Sequence, residues 1–202
     1  MKLLALISGG FDSIVAAKIM KDNNAELAAV HFSLEPVTDN SPEIKARKLC
    51  QLIGIKPLYV VTVGQIFAEI VNNCNHRYYF VLSKRLMMRI AERIAKTEKC
   101  DYLLTGESLG QVSSQTLKHL LLIQKAVDIE ILRPLLCYDK IEIIRKAEEI
   151  GSFEISKGPE VCDLLGPKNP VTRAKEDAIL KEEAGLNMGN MIGEALRTIK
   201  KY

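Results

Sequence analysis

Short apolar runs alternate along this chain with stretches of helix length, and this alternation constrains the fold more than any other feature of the sequence. The runs of strand length are residues 2–7, 27–32, 58–63, 102–105 and 129–133. The predicted helices are residues 13–21, 42–53, 78–96, 113–126 and 140–150. Because strand and helix alternate, we expect a doubly wound, mainly parallel five-stranded sheet in a three-layer α/β/α arrangement.

Length and composition favour a single globular domain. The chain has 202 residues, of which 48% are hydrophobic and 26% are charged. A chain of this size buries roughly 70% of the surface that it exposes when unfolded, so its core needs neither disulfides nor structural metals. We expect one domain over residues 1–202, with a core over about residues 1–175 and a charged helical tail over about residues 171–202.

Two features predict a location in the cytoplasm and no contact with a membrane. The apolar run at residues 3–7 is shorter than the roughly 7 to 15 apolar residues of a signal peptide or the ~20 of a membrane span. The five cysteines are an odd number without a tight pairing pattern, which is typical of reduced thiols in a reducing compartment.

The charge balance argues against a dedicated nucleic-acid binder. The formal net charge is +3, from 28 basic and 25 acidic residues, and aromatic residues make up 5% of the chain. Dedicated binders usually have a pI above about 9, and a platform that stacks bases needs more aromatic side chains. We therefore expect this chain to have only modest affinity for RNA.

The segment after the first predicted strand is the strongest candidate for a binding site. It consists of Ser8, Gly9, Gly10, Phe11, Asp12 and Ser13. Ligands of open parallel sheets bind at the carboxyl ends of the strands, and small residues that lead into a helix N-terminus can cradle a phosphate. Asp12 suits this place if Mg²⁺ lies between its carboxylate and the phosphates. The segment matches neither a Walker A loop nor a Rossmann fingerprint, and a turn without a ligand is the alternative.

Four further residues are candidates for the same site. Gly106, after the fourth predicted strand, lets a nucleotide approach the backbone, and the amide of Gln115 can bind a phosphate or a sugar; capping and turn formation are the alternative. Lys84 lies in a basic stripe that otherwise indicates a solvated helix face, and a cation there would offset the negative charge of a bound phosphate. Cys162 lies in a Gly- and Pro-rich segment where a thiol can reach a substrate, although a single cysteine is more often structural.

Two groups of residues resemble known families. Residues 8–13 are similar to the pyrophosphate-loop signature of the ATP pyrophosphatases, which adenylate a carbonyl oxygen with ATP and release pyrophosphate. Residues 105–116, 133–135, 138–140 and 159–162 are similar in order and spacing to the 4-thiouridine tRNA sulfurtransferases, the ThiI family. This second resemblance extends over about residues 3–175 and implies a fold of the adenine nucleotide alpha hydrolase (PP-loop) type.

The resemblance also implies a ligand set, with ATP and Mg²⁺ as cofactors. The implied nucleotide contacts are Leu6, Ile7, Ser8, Gly9, Gly10, Ser13, His31, Phe32, Lys84, Gly106 and Gln115. Asp12 is implied to organise the metal, and Cys162 to handle sulfur. Asp163, Leu164 and Leu165 follow Cys162, so the Cys-x-x-Cys iron–sulfur arrangement of some members is not matched here.

The implied function is ATP-dependent thiolation of a tRNA uridine. The C4 oxygen attacks the α-phosphate of ATP, pyrophosphate leaves into the loop, and a sulfur nucleophile then displaces AMP. Cys162 would carry the sulfur as a persulfide that it receives from a persulfide protein, or would assist delivery where sulfide itself is the donor. Cys137 is a candidate resolving thiol, with packing as the alternative.

The regions that family members carry beside the catalytic domain bear on the partners of this chain. Family members usually carry a ferredoxin-like and THUMP region that binds tRNA, and some carry a rhodanese domain, whereas this sequence begins at the first strand of the catalytic domain. We therefore expect a separate RNA-binding protein, or a homo-oligomer that pools basic surface. The alternatives are a sulfurtransferase or ligase for a small molecule, as in thiamine thiazole formation, and a non-catalytic module that binds adenine nucleotides.

Overall fold

The first apolar run forms a central strand in the computed structural model, which describes residues 1–110, 115–158 and 164–202. Across these residues the sheet has six strands in the order β5-β4-β1-β2-β3-β6. The strands are β1 (Lys2–Leu6), β2 (Glu26–Ser33), β3 (Leu58–Thr62), β4 (Tyr102–Leu104), β5 (Ile131–Leu132) and β6 (Lys200–Lys201). The first five are parallel, and β6 runs antiparallel to β3. The doubly wound, mainly parallel sheet is confirmed, but the predicted count of five strands is one too low.

The described part of the chain also contains nine α-helices. They are α1 (Phe11–Asp22), α2 (Ser41–Ile53), α3 (Gly64–Asn73), α4 (Tyr79–Glu98), α5 (Leu117–Gln124), α6 (Lys140–Ile150), α7 (Phe153–Ser156), α8 (Glu176–Ala184) and α9 (Met188–Arg197). The five helices predicted before residue 151 correspond to α1, α2, α4, α5 and α6, whereas α3 and α7 were not predicted. None of the helices found in the described ranges is both long and apolar enough to cross a membrane.

Side chains on the two faces of the sheet build separate cores. Leu4 and Leu6 of β1 belong to a core that α3, α4, α5, α8 and α9 close, while Leu3 and Ala5 belong to a core that α1 and α2 close. A smaller cluster joins α6 to the outer side of α1. Because successive side chains of a strand point to opposite faces, the unbroken apolar run of β1 requires helices on both sides, which gives the three layers.

The residues of the predicted helical tail form part of this architecture. Both α8 and α9 pack on α4, and the buried Glu183 of α8 binds the guanidinium groups of Arg85 and Arg89 at 2.7–2.9 Å. The chain then returns to the sheet as β6, opposite Tyr59 and Val60. Two lysines carry no hydrophobic pattern, so β6 forms because β3 offers an unpaired edge.

The strand order creates a crevice at the carboxyl ends of the central strands β1 and β4. From β1 the chain continues to β2 and β3 on one side, and then crosses to β4 and β5 on the other, so the order reverses between β1 and β4. Ligands of open α/β sheets bind outside the carboxyl ends of the strands at such a reversal. The segments that follow β1 and β4 therefore flank the crevice.

Candidate functional site

The loop between β1 and α1 is held in shape by its own serine hydroxyls. The Ser13 hydroxyl donates to the carbonyl oxygen of Gly10 at 3.0 Å and accepts from the backbone N–H of Ser8 at 3.2 Å. The Ser8 hydroxyl accepts from the N–H of Gly10 at 3.2 Å. Gly10 is the N-cap of α1 and no side chain caps the helix there, which leaves helix N–H groups to an anionic ligand.

Two glycines allow backbone segments to meet at this loop. Gly9 has a φ of +91°, and a Cβ there would lie 3.2 Å from the carbonyl oxygen of Pro42. A Cβ at Gly106 would lie 2.6 Å from three backbone atoms: the carbonyl carbon and oxygen of Asp12 and the nitrogen of Ser13. The segment after β4 thus lies directly against the first turn of α1, as the strand order requires.

Asp12 lies beside a cation that the sequence did not reveal. The ammonium of Lys140, the first residue of α6, is 3.3 and 3.4 Å from the two carboxylate oxygens of Asp12 and 4.3 Å from the ring centroid of Phe11. The two side chains come from positions 128 residues apart. Lys140 appeared in the sequence only as part of a family pattern, and no local signal pairs it with Asp12.

The donor set fits a magnesium ion that is held mainly by a nucleotide. The described residues contain no group of three or more His, Cys, Asp or Glu side chains that could hold a metal. Mg²⁺ is commonly bound by one or two carboxylates, with waters and substrate phosphates as its other ligands. The half-buried carboxylate of Asp12, at the N-terminus of α1, would supply that one protein ligand.

A buried carboxylate, Glu107, lies between two cations on the other wall of the crevice. Its Oε1 accepts from the ammonium of Lys84 at 2.7 Å, and its Oε2 accepts from Nε of Arg133 at 2.9 Å and from the hydroxyl of Thr105 at 3.1 Å. Burial alone would raise the pKa of the Glu107 carboxyl, but the charges and hydrogen bonds of Lys84 and Arg133 outweigh burial and lower it. The cluster of Lys84, Glu107 and Arg133 therefore stays ionised and carries one net positive charge.

The imidazole of His31 makes a buried hydrogen bond at the end of β1. Its ring is 2% exposed, and Nδ1 lies 2.8 Å from the carbonyl oxygen of Ile7. Burial lowers the pKa of this imidazole, and a carbonyl can only accept, so Nδ1 carries the proton of a neutral ring. Its Nε2 has no partner within the described part of the chain. The side chain thus holds the end of β1, where the loop begins.

The remaining predicted contacts fall into two kinds. Leu6 and Ile7 are buried in the cores, and Phe32 packs on the core that α4 closes, so the two strand ends would meet a ligand mainly through their backbones. Gln115 binds the segment after β4: its Oε1 accepts from the N–H of Ser108 at 3.4 Å. The structure thus brings the loop, including Asp12, into contact with Gly106. Lys84 pairs with Glu107, the residue that follows Gly106.

The cysteines differ in exposure. Burial raises the pKa of Cys50 to about 12, and mainly burial raises the pKa of Cys74 and of Cys100 to about 11, which fits packing roles for these three. Cys137, between β5 and α6, is exposed. Cys162, predicted to handle sulfur, lies outside the described residues, as do residues 111–114.

The sheet, its helices and the loop define an α/β fold of the PP-loop, ATP pyrophosphatase-like type. NMN synthetase from Francisella tularensis superposes with a TM-score of 0.60 at 15% identity, over 98% of this chain and 81% of that one, which shows the shared fold.

The chain belongs to the ThiI family, since the model described as "Thiamine biosynthesis protein (ThiI)" matches residues 1–188. A relative from Alkaliphilus oremlandii, named "Probable tRNA sulfurtransferase", is 38% identical over 98% of this chain and 52% of its own length. A crystal structure of a 4-thiouridine synthetase in complex with RNA, with bound ATP, superposes with a TM-score of 0.94 at 32% identity. It is matched over 100% of this chain and 54% of that one. The chain spans about half the length of the curated relatives that it matches.

Proposed function

We propose that this chain supplies the ATP-dependent activation step of tRNA thiolation: it adenylates the C4 oxygen of a uridine so that sulfur can replace that oxygen. One observation carries the proposal. The loop and Gly106 meet at the strand reversal of a fold that superposes with a TM-score of 0.94 on a 4-thiouridine synthetase in complex with RNA and ATP.

The loop is the proposed site for the phosphates. The backbone N–H groups at the start of α1 would bind the β- and γ-phosphates, and the serine bonds between Ser8, Gly10 and Ser13 keep those groups oriented. A Mg²⁺ bound at Asp12 would neutralise phosphate charge. Leu6, Ile7, His31, Phe32 and Gln115 are proposed to contact the remainder of the nucleotide.

Lys84 and Lys140 are proposed to stabilise charge on the leaving pyrophosphate. Fixed cations that face the site of developing charge lower the barrier because they need no reorganisation during the reaction. Lys140 is paired with Asp12 in the first turn of α1, and Lys84 is paired with Glu107, which follows Gly106 after β4. The uracil oxygen then bonds to the α-phosphate as the bond to pyrophosphate breaks, which turns a poor leaving oxygen into part of AMP.

Sulfur replaces AMP in the second half of the proposed reaction. Cys162, as a persulfide, would attack C4 with its outer sulfur while AMP leaves. A second thiol must then attack the Cys162 sulfur, which frees the thiocarbonyl and forms a disulfide. Cys137 is exposed and is the candidate for that second thiol. This chemistry needs reduced thiols, so we propose a cytoplasmic location.

The net charge of +3 leads us to propose that another RNA-binding protein, or a second copy of the chain, contributes basic surface for tRNA. A small-molecule acceptor is the second candidate, because the family description names thiamine biosynthesis.

The test is pyrophosphate release from ATP and Mg²⁺, measured with tRNA, with a sulfur-accepting small molecule and with neither. Release that depends on tRNA supports the proposal. Release that depends on the small molecule moves the function to that acceptor, and ATP binding without any release leaves a nucleotide-binding module. The matched variant Cys162→Ala should still release pyrophosphate but form no thiouridine.

A further inference from the structure

The ammonium of Lys84 is held beside the segment that follows β4 by its bond to Glu107. Lys84 lies on the second turn of α4, with 23% of its side chain exposed. The bond to Oε1 of Glu107 at 2.7 Å uses one of the three N–H groups of the ammonium. The others are directed away from that carboxylate, so the group can bind an anion without leaving Glu107.

Glu107 is in turn held by groups that are anchored to the backbone. Its Oε2 accepts from Arg133 and from Thr105. The other nitrogens of Arg133 donate to the carbonyl oxygens of Ile131 at 3.2 Å and Leu120 at 3.5 Å. With one oxygen fixed in this way, the carboxylate presents its second oxygen, Oε1, to Lys84 at a defined place.

Glu107 is bonded directly to Gly106, and Gly106 packs against the backbone of Asp12 and Ser13. The Cα of Gly106 has no room for a methyl group there. The tight backbone packing of Gly106 therefore fixes the position of the Glu107 carboxylate relative to the loop. A long lysine side chain, which is otherwise free to sample many rotamers, becomes ordered relative to the phosphate site.

We propose that Glu107 is a positioning residue, which places the ammonium of Lys84 where negative charge develops on the leaving pyrophosphate. This inference rests on the proposed function, and it assigns to Glu107 the role of orienting Lys84. A buried carboxylate beside a phosphate site opposes anion binding by its charge, so its presence is costly unless its geometry matters to the reaction.

Two variants disturb the contact between Glu107 and Lys84 in different ways. Glu107→Asp keeps the charge and withdraws the carboxylate by one methylene, whereas Glu107→Gln keeps the length and removes the charge. A misplacement of about 1 Å can cost 10²-fold in rate. We expect both variants to lower kcat for tRNA-dependent pyrophosphate release about 10²-fold, while KM for ATP changes less than about threefold.

Glu98 offers a matched control at the other end of the strands, beside the start of β1. Its carboxylate is also bound by two lysines, Lys2 at 3.2 Å and Lys201 at 3.3 Å. Glu98→Asp and Glu98→Gln should leave kcat and KM unchanged. A wild-type kcat in folded Glu107→Asp would overturn the inference, and an equal loss of kcat in the Glu98 variants would reduce it to general stability.

A milder variant keeps the inference testable if Glu107→Asp does not fold. Thr105→Val removes only the hydroxyl that donates to Oε2, and we expect kcat to fall several-fold with KM unchanged. A folded Thr105→Val with wild-type kcat would then overturn the inference. If wild-type protein binds ATP but releases no pyrophosphate with any acceptor, the proposed function itself fails, and this inference fails with it.

Discussion

Gly106→Ala is the substitution whose effect the structure defines most sharply. The new Cβ would lie 2.6 Å from backbone atoms of Asp12 and Ser13, whereas carbon atoms in favourable contact are about 3.5–4.0 Å apart. The segment after β4 and the first turn of α1 must therefore separate by roughly 1 Å. Neither side can give way by rotating a side chain, because the obstructing atoms are backbone.

The expected cost has a stability part and a functional part. Overpacking typically costs about 1–3 kcal/mol, so the free energy of unfolding should fall by that amount while the protein still folds. Because the displaced segments carry the phosphate loop and Glu107, we expect kcat/KM for pyrophosphate release to fall about 10²-fold or more. Urea unfolding followed by circular dichroism measures the first quantity, and a coupled pyrophosphate assay measures the second.

Gly193→Ala is the matched control. Gly193 lies within α9, and among the residues that the structure describes a Cβ there would meet only the end of the Arg197 side chain, at 3.7 Å. Alanine favours a helix interior by about 0.5–1 kcal/mol, so this variant should be as stable as wild type or more so, with full activity. Wild-type ATP affinity and a wild-type rate in Gly106→Ala would refute the placement of the ATP site between the segment after β4 and the first turn of α1.

Three further outcomes are expected. The ion pairs of Glu183 with the α4 arginines depress its pKa below the ordinary 4.5 although burial opposes this; this stabilisation is complete above about pH 4.5 and is lost as pH falls through the depressed value. Glu183→Gln should therefore lower the free energy of unfolding at pH 7 by about 3 kcal/mol and flatten its pH dependence below pH 4.5. Urea melts at several pH values that give this variant the same pH dependence of the unfolding free energy as wild type would contradict this. Iodoacetamide should modify exposed Cys137 well before Cys50, whose pKa burial raises to about 12, and mass spectrometry that finds the reverse order would refute the burial. Lys45→Met removes the 2.7 Å hydrogen bond to the carbonyl oxygen of Lys157 and should speed amide exchange in α7; unchanged exchange would show that this bond does not hold α7 on α2.

Much of the fold could be predicted because its signals are local. The runs that form β1 to β3 consist mostly of apolar residues. Helix α6 was predicted with its full bounds, since Asp139 caps it through a capping box and Gly151 ends it in the left-handed region. Helix α3 was missed: its N-cap is Val63, which makes no side-chain cap bond, so the usual start signal is lacking. The order of strands in the sheet leaves no local trace at all.

At the site, the phosphate loop could be predicted from the sequence, whereas the charge pairs around it depend on the tertiary structure. The small polar residues between β1 and α1 indicate a phosphate loop from sequence, because their backbone freedom and hydroxyl groups are properties of the residues themselves. The pairing of Asp12 with Lys140, and the enclosure of Glu107 by Lys84 and Arg133, depend on strand crossovers that bring distant positions together. Such contacts have no period or spacing in the chain, and only the packed sheet brings these charges to a single crevice.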